Sequence, residues 1–182
     1  MCRTPAHARP SRRGDDVAGS AYEIGLATRA DIVGILELQE PNLRENGGAL
    51  SVRFTAEDLE ASLRDTPILV ARRSGAIVGY LLSSSKASQA HVPIVQAMLR
   101  AYPGERDAYV YGPICVAESE RGQDLPAELI LALRERLPRR EGLTFIRKDN
   151  VRSLRAHAKI GGREVAEFMH AGAAIAVISF AG

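Results

Sequence analysis

The sequence lacks tryptophan, and only 5% of its 182 residues are aromatic. Few aromatic rings leave few surfaces on which nucleic-acid bases stack, so we expect no nucleic-acid partner. The only cysteines are Cys2 near the N-terminus and Cys115 within an apolar run. They give no disulfide framework, which favours a reducing cytoplasm. No apolar run approaches the roughly 20 residues of a membrane helix, and no signal-peptide core is present, so we expect no membrane partner.

The excess positive charge lies in the N-terminal segment. Residues 1–20 contain four arginines and two aspartates, whereas the rest of the chain has 20 basic and 20 acidic side chains. Residues 1–20 are also rich in Pro, Gly and Ser, which predicts a disordered basic tail, a solvated leader rather than a nucleic-acid-binding arm. Residues 21–182 are then expected to form one domain. The four histidines are scattered without metal-ligand spacing, so no metal site is predicted.

Apolar periodicity and turn residues predict the order β-α-α-β-β-α-β-α-β-α-β-β. Thr28 with Asp31 has approximately the spacing of a helix capping box, and Thr55 is predicted to cap the next helix, whose N-terminal dipole Glu57 and Asp58 favour. Two β-rich runs flank Arg-Arg-Ser-Gly-Ala at 72–76, which predicts an antiparallel hairpin. Gly112-Pro113 predicts a bulge or bend within its strand. The order indicates an α+β domain whose central sheet is mixed, mostly antiparallel and flanked by helices.

Two segments carry the clearest functional pattern. The first, ICVAESERGQDLPAEL at 114–129, reads as a strand, a turn with an arginine and a glycine, and a helix N-terminus, which is how proteins often hold a phosphate group. The second, NVRSLRAHAKIGG at 150–162, reads as an asparagine-led helix that ends at glycine and precedes REVAEF.

These segments, in this order and on these elements, resemble the GNAT superfamily of N-acetyltransferases. The likeness spans Tyr22 to Phe180 and implies that the chain moves an acetyl group from acetyl-CoA to an amine. The resemblance assigns coenzyme contacts to the strand end, the turn and the asparagine: Val116, Arg121, Gly122, Gln123, Asp124, Leu125 and Asn150. Among them, Val116 would donate its backbone N–H to the thioester carbonyl.

The turn departs from the family pattern Arg/Gln-x-x-Gly-x-Gly/Ala at two positions. Asp124 and Pro126 stand where the pattern has small residues. A proline has no N–H to donate, and an aspartate adds charge of the same sign as a pyrophosphate. Pro is nevertheless well placed in the first turn of a helix, and Asp124 can serve as the N-cap. We therefore expect a weakened coenzyme site.

Two residues are candidates for proton transfer. His157 stands where many family members have a tyrosine that protonates the departing thiol, and an imidazole can do this near neutral pH. The alternative is a polar helix residue that contacts solvent or the coenzyme. Glu118 follows the strand end and is a candidate base for the amine. The alternative is a solvated loop acid.

Three further residues are candidates for the acceptor pocket. Tyr109 and Tyr111 share one face of a strand and line either the pocket or the core. His91 begins the inserted segment Ser83–Gly104, which we expect to shape the pocket. Cys115 is interpreted as a buried, inert cysteine rather than a nucleophile.

The first hypothesis is thus a cytoplasmic N-acetyltransferase with acetyl-CoA as its acyl donor, no metal, and a small-molecule or peptide amine as acceptor. The alternative is a GNAT-like binding or regulatory module without turnover. A homodimer is an open alternative to a monomer.

Overall fold

A computed structural model of the chain describes residues 22–181. The predicted tail, residues 1–20, lies outside them. The order of helices and strands is the predicted one. The strands are β1 (Glu23–Leu26), β2 (Leu69–Arg73), β3 (Ala76–Ser85), β4 (Tyr109–Val116), β5 (Gly142–Arg147), β6 (Arg163–His170) and β7 (Ala173–Phe180). The helices are α1 (Ile32–Gln39), α2 (Ala56–Ser62), α3 (Pro93–Ala101), α4 (Leu125–Arg136) and α5 (Val151–Lys159).

The seven described strands form one sheet in the order β1-β2-β3-β4-β5-β7-β6. Every neighbouring pair is antiparallel except β4 with β5, which are parallel. The prediction of an α+β domain with a mixed, mostly antiparallel sheet is therefore confirmed. Among residues 22–181, no helix is both long enough and apolar enough to cross a membrane.

The parallel pair is short, and this opens the sheet. β4 and β5 share only the register pairs Tyr109 with Gly142 and Val110 with Leu143. Beyond these pairs the strands separate, so the far half of β4 has a hydrogen-bonded neighbour only in β3. A gap therefore forms in the middle of the sheet, beside the end of β4.

The bend predicted at Gly112-Pro113 is confirmed as an irregularity in β4. The register between β3 and β4 shifts by one residue between Leu81 and Ser83, opposite this dipeptide. Gly112 has a φ of 111°, which glycine adopts without a steric penalty. Because side chains alternate along a strand, the shift puts Ile114 and Val116 on the same face as Tyr109 and Tyr111.

Local capping explains where the first two helical segments begin. The Asp31 carboxylate accepts from the backbone N–H of Thr28 at 2.7 Å, where a single 3₁₀ turn leads into α1. At α2, Thr55 Oγ1 accepts from the Asp58 N–H at 3.2 Å, and the Asp58 carboxylate accepts from the Thr55 N–H at 2.9 Å. Both predicted caps are confirmed.

Helices cover the two faces of the sheet. On one face, α4 packs Leu129 and Leu133 against β2, β3 and β4. On the other, α1 and α2 cover β2 and β3, and α3 packs against β6. The inserted segment Ser83–Gly104 thus puts Val95 and Met98 into an apolar cluster with Val110 and Val177, and is part of the core.

Helix α4 offers a direct test of this packing. Leu129 is fully buried, whereas Leu131 on the same helix is 41% exposed. We expect Leu129→Ala to lower the free energy of unfolding by about 2–5 kcal/mol, because it leaves a cavity in the core. The matched Leu131→Ala should change it by less than about 0.5 kcal/mol. Urea denaturation measures both values, and equal losses would contradict the assigned orientation of α4.

Candidate active site

A cavity of about 310 Å³ lies at the gap in the sheet. Its walls come from the end of β4, the turn before α4, the N-terminal half of α4, helix α5, and the loop that follows α1. Six of the residues selected from the sequence line it: Val116, Arg121, Gly122, Gln123, Asn150 and His157. The structure therefore brings together the two motifs, which lie about thirty residues apart in the sequence.

The backbone N–H of Val116 points into the gap. The N–H of Ala117 donates to the Val78 carbonyl at 2.8 Å. Because hydrogen bonds alternate from one side of a strand to the other, the N–H of Val116 is directed away from β3. On that side β5 has already diverged. The end of β4 thus presents a backbone donor to the cavity.

The turn between β4 and α4 presents further donors. Gly122 has a φ of 86°, a left-handed conformation that a glycine adopts readily. Within residues 22–181, no acceptor is found for the backbone N–H groups of Gly122, Gln123 and Asp124. These groups precede the N-terminus of α4, whose dipole favours an anion. The turn therefore has the properties of an anion-binding site.

A buried polar cluster adjoins this turn, and two of its members, Glu120 and Gln123, line the cavity. Glu120 is 3% exposed, and its carboxylate lies 3.0 Å from Arg73 Nη1. The Tyr22 hydroxyl lies 2.8 Å from Glu120 Oε2 and 2.5 Å from Gln123 Oε1, under the Arg73 guanidinium. The sequence does not predict this cluster, because Tyr22 precedes β1, Arg73 ends β2, and no local pattern joins either residue to the turn.

The two departures from the family pattern have different positions. Asp124 does not line the cavity; its carboxylate lies 3.4 Å from Lys159 Nζ, and both side chains are exposed. It is the N-cap residue of α4, as the sequence suggested, although its side chain makes no capping hydrogen bond. Pro126 is in the first turn of α4 and lines the cavity. The cavity therefore still lacks a backbone donor at Pro126. The Asp124 carboxylate, by contrast, lies beside Lys159 outside the cavity wall.

Leu125 has no side-chain contact with the cavity. It is fully buried in the core cluster beneath α4. Only the backbone of Leu125 is therefore placed to contact a coenzyme. Asn150 lines the cavity and caps α5, since its Oδ1 accepts from the Ser153 N–H at 3.1 Å.

His157 enters the cavity wall as a buried imidazole, 7% exposed. Its Nδ1 lies 2.8 Å from the Ser153 carbonyl oxygen. A carbonyl oxygen only accepts, so Nδ1 carries the proton and Nε2 of the neutral ring has a free lone pair. Burial lowers the pKa of His157, although the bond to Ser153 opposes this. The neutral ring can therefore accept a proton at neutral pH, and it can protonate a thiolate only after it has gained one.

The remaining candidates lie elsewhere. Glu118 is 89% exposed, 3.5 Å from Arg121, and does not line the cavity. Tyr109 and Tyr111 are buried in the core, as the alternative interpretation held, although Tyr111 stacks on His157 with ring centroids 6.1 Å apart. His91 is exposed, and the segment Ser83–Gly104 contributes nothing to the described cavity wall.

Cys115 lies on the opposite face of β4 from Val116 and contributes to the cavity wall. It is buried, and burial raises the pKa of its thiol to about 11. The thiol is therefore protonated at neutral pH, which agrees with the inert interpretation. No group of three or more potential metal ligands occurs among residues 22–181.

The loop after α1 forms a wall of the cavity that the sequence does not predict. Asn42, Ala49 and Leu50 line the cavity. The Leu50 N–H donates to the Asn42 carbonyl at 2.9 Å, and the Arg44 N–H donates to the Leu50 carbonyl at 3.0 Å, which closes the loop. Nothing in the sequence of this loop indicates which of its side chains face β4.

Solved structures that resemble this chain include several acetyltransferases. A GNAT-family acetyltransferase from Streptococcus agalactiae has a TM-score of 0.68 and 16% identity over 88% of this chain and 95% of that one. The YncA protein from Salmonella typhimurium, solved with its cofactor acetyl-CoA, has a TM-score of 0.65 and 15% identity over 88% and 93%. This chain has the GNAT fold.

A third GNAT-fold neighbour is a ribosomal-protein-alanine N-acetyltransferase from Brucella melitensis. It has a TM-score of 0.62 and 24% identity over 87% of this chain and 99% of that one. No protein-family model and no curated protein sequence matches the chain.

The protonation of His157 generates a prediction about pH. Because its pKa in the folded state is lower than the ordinary 6.5, the unfolded chain binds more protons between the two values. The stabilisation that comes from keeping His157 neutral is therefore complete above pH 6.5. It decreases as the pH falls from 6.5 towards the pKa of His157 in the folded state. Urea denaturation across pH should show the decrease, and His157→Phe should lack it. An NMR titration that places the His157 pKa above 6.5 would contradict the buried, neutral ring.

Proposed function

We propose that the chain is an acyl-CoA-dependent N-acetyltransferase that transfers an acetyl group from acetyl-CoA to an amine. One observation carries the proposal: a single cavity at the divergence of β4 and β5 contains a backbone donor, an anion-binding turn and a buried imidazole. The acceptor is a small-molecule or peptide amine. The GNAT-fold neighbours named above support the same reaction class.

The residues present fit the coenzyme. The turn at Arg121, Gly122 and Gln123 would hold the pyrophosphate through its backbone N–H groups and the dipole of α4. The free edge of β4 would pair with the amide groups of pantetheine, as an added strand does. Asn150 would contact the coenzyme from α5 through the side-chain N–H₂ group that its capping bond leaves free.

Acetyl-CoA supplies an activated acetyl group, which passes from sulfur to the amine nitrogen as a C–S bond breaks and a C–N bond forms. The N–H of Val116 would stabilise the negative charge that develops on the carbonyl oxygen. His157 Nε2 would accept the proton that the amine loses. The resulting imidazolium would return this proton to the sulfur, so no proton donor need be present at the start.

The non-catalytic alternative depends on the altered turn. Its repulsive element, Asp124, is exposed and faces Lys159, so only the donor missing at Pro126 favours weak binding. We therefore retain the transferase as the proposed function.

Titration calorimetry with CoA, followed by acetyl-CoA turnover with a panel of small amines and peptides, tests the proposal. We expect CoA binding and acetylation of at least one amine. His157→Phe preserves the volume and the stacking on Tyr111, so it should leave the dissociation constant of CoA nearly unchanged and reduce kcat by roughly 10²-fold. Binding without turnover would favour the non-catalytic module, and equal kcat would remove His157 from proton transfer.

A further inference from the structure

We propose that Asn42 is a positioning residue that holds the Arg121 guanidinium over the cavity as a charged donor for the coenzyme phosphates. Arg121 would thereby replace the backbone N–H that is absent at Pro126. This inference rests on the proposed acetyl-CoA-dependent function and assigns a role to the loop after α1.

The contact joins two distant parts of the chain. Arg121 Nη2 donates to Asn42 Oδ1 at 2.9 Å. The two residues are 79 positions apart, and both line the cavity. The bond therefore fixes the arginine beside the turn whose backbone N–H groups have no acceptor among residues 22–181.

Asn42 is itself held in place. It is 8% exposed, and its Nδ2 donates to the Leu38 carbonyl at 2.8 Å at the end of α1. Its backbone carbonyl accepts from the Leu50 N–H. A Cβ at Gly48 would lie 1.9 Å from this carbonyl oxygen, so only glycine permits the loop to close around Asn42. The amide is thus a fixed acceptor.

The chemistry of this pair suits a phosphate. An amide oxygen orients the guanidinium without neutralising it, and the other guanidinium N–H groups remain for a bidentate contact with a phosphate. The other partner, Glu118 at 3.5 Å, is 89% exposed, so water screens its charge. Arg121 therefore retains an effective positive charge at the cavity.

A purely structural bond between the loop and the turn makes a different prediction. Loss of Asn42 would then lower stability and weaken every ligand of the cavity alike. A positioning role affects only ligands that carry phosphate. Pantetheine, which lacks the phosphates of CoA, separates the two interpretations.

The experiment compares CoA and pantetheine binding by calorimetry in the wild type, Asn42→Leu and Asn42→Asp. Asn42→Leu should weaken CoA binding about tenfold, because the Arg121 guanidinium is no longer held in place. Asn42→Asp should weaken it at least as much, because the new carboxylate neutralises the guanidinium. Pantetheine binding should change by less than about twofold. The matched control is Asn46→Asp, which makes the same charge change in the same loop, at a side chain bonded to Glu40 instead. It should leave both affinities nearly unchanged.

A double-mutant cycle with Arg121→Met completes the test. In the Arg121→Met background, Asn42→Leu should change CoA affinity by less than about twofold, because no guanidinium remains to be positioned. Equal effects of Asn42→Leu in both backgrounds, or equal losses for CoA and pantetheine, would overturn the positioning role alone. Absence of CoA binding by the wild type would overturn both this role and the proposed function.

Discussion

The short parallel pairing of β4 with β5 is the constraint on which the rest of the site depends. Two shared register pairs hold the sheet together, and beyond them the strands must separate. If β4 and β5 paired along their whole length, the backbone N–H of Val116 would bond to β5 and would not face a cavity. Because the pairing stops early, the sheet has an internal edge, which α4, α5 and the loop after α1 enclose. The cavity therefore exists because β4 and β5 pair over only part of their length.

Residues far from the cavity determine its electrostatics. The buried carboxylate of Glu120 is matched by Arg73 and by the Tyr22 hydroxyl, so it supports the turn without a net repulsive charge in the core. Lys159 stands beside Asp124 on the outer side of the turn. Two acidic residues within the phosphate motif are thereby each paired with a cation from another element. The turn can therefore remain an anion site despite its acidic sequence.

The sequence predicts local features of this molecule well. Capping at Thr28 and Thr55, the hairpin of β2 and β3, the bulge at Gly112-Pro113 and the asparagine-led start of α5 all depend on residues close in the chain. The two motifs identified six residues that line one cavity, because each motif is a continuous segment.

The errors arise where the environment is set by distant residues. Alternation along β4 could not decide whether Tyr111 faces core or pocket, since that depends on which helix covers the face. The protonation state of His157 depends on its burial and on the Ser153 carbonyl, and neither is visible in the sequence. Asn42 and Arg73 lacked any signal because their partners are far away in the chain.

The one-residue shift in β4 has a consequence for the phase of this strand. Tyr111 and Val116 are five positions apart, so in a regular strand they would face opposite sides of the sheet. The extra residue at Gly112-Pro113 brings both side chains to the same face and leaves the Val116 N–H directed into the gap. The same residues in a strand without the bulge would direct the Val116 N–H towards β3 instead. The spacing across the bulge, more than the identity of any one side chain there, thus determines which atoms meet a bound molecule.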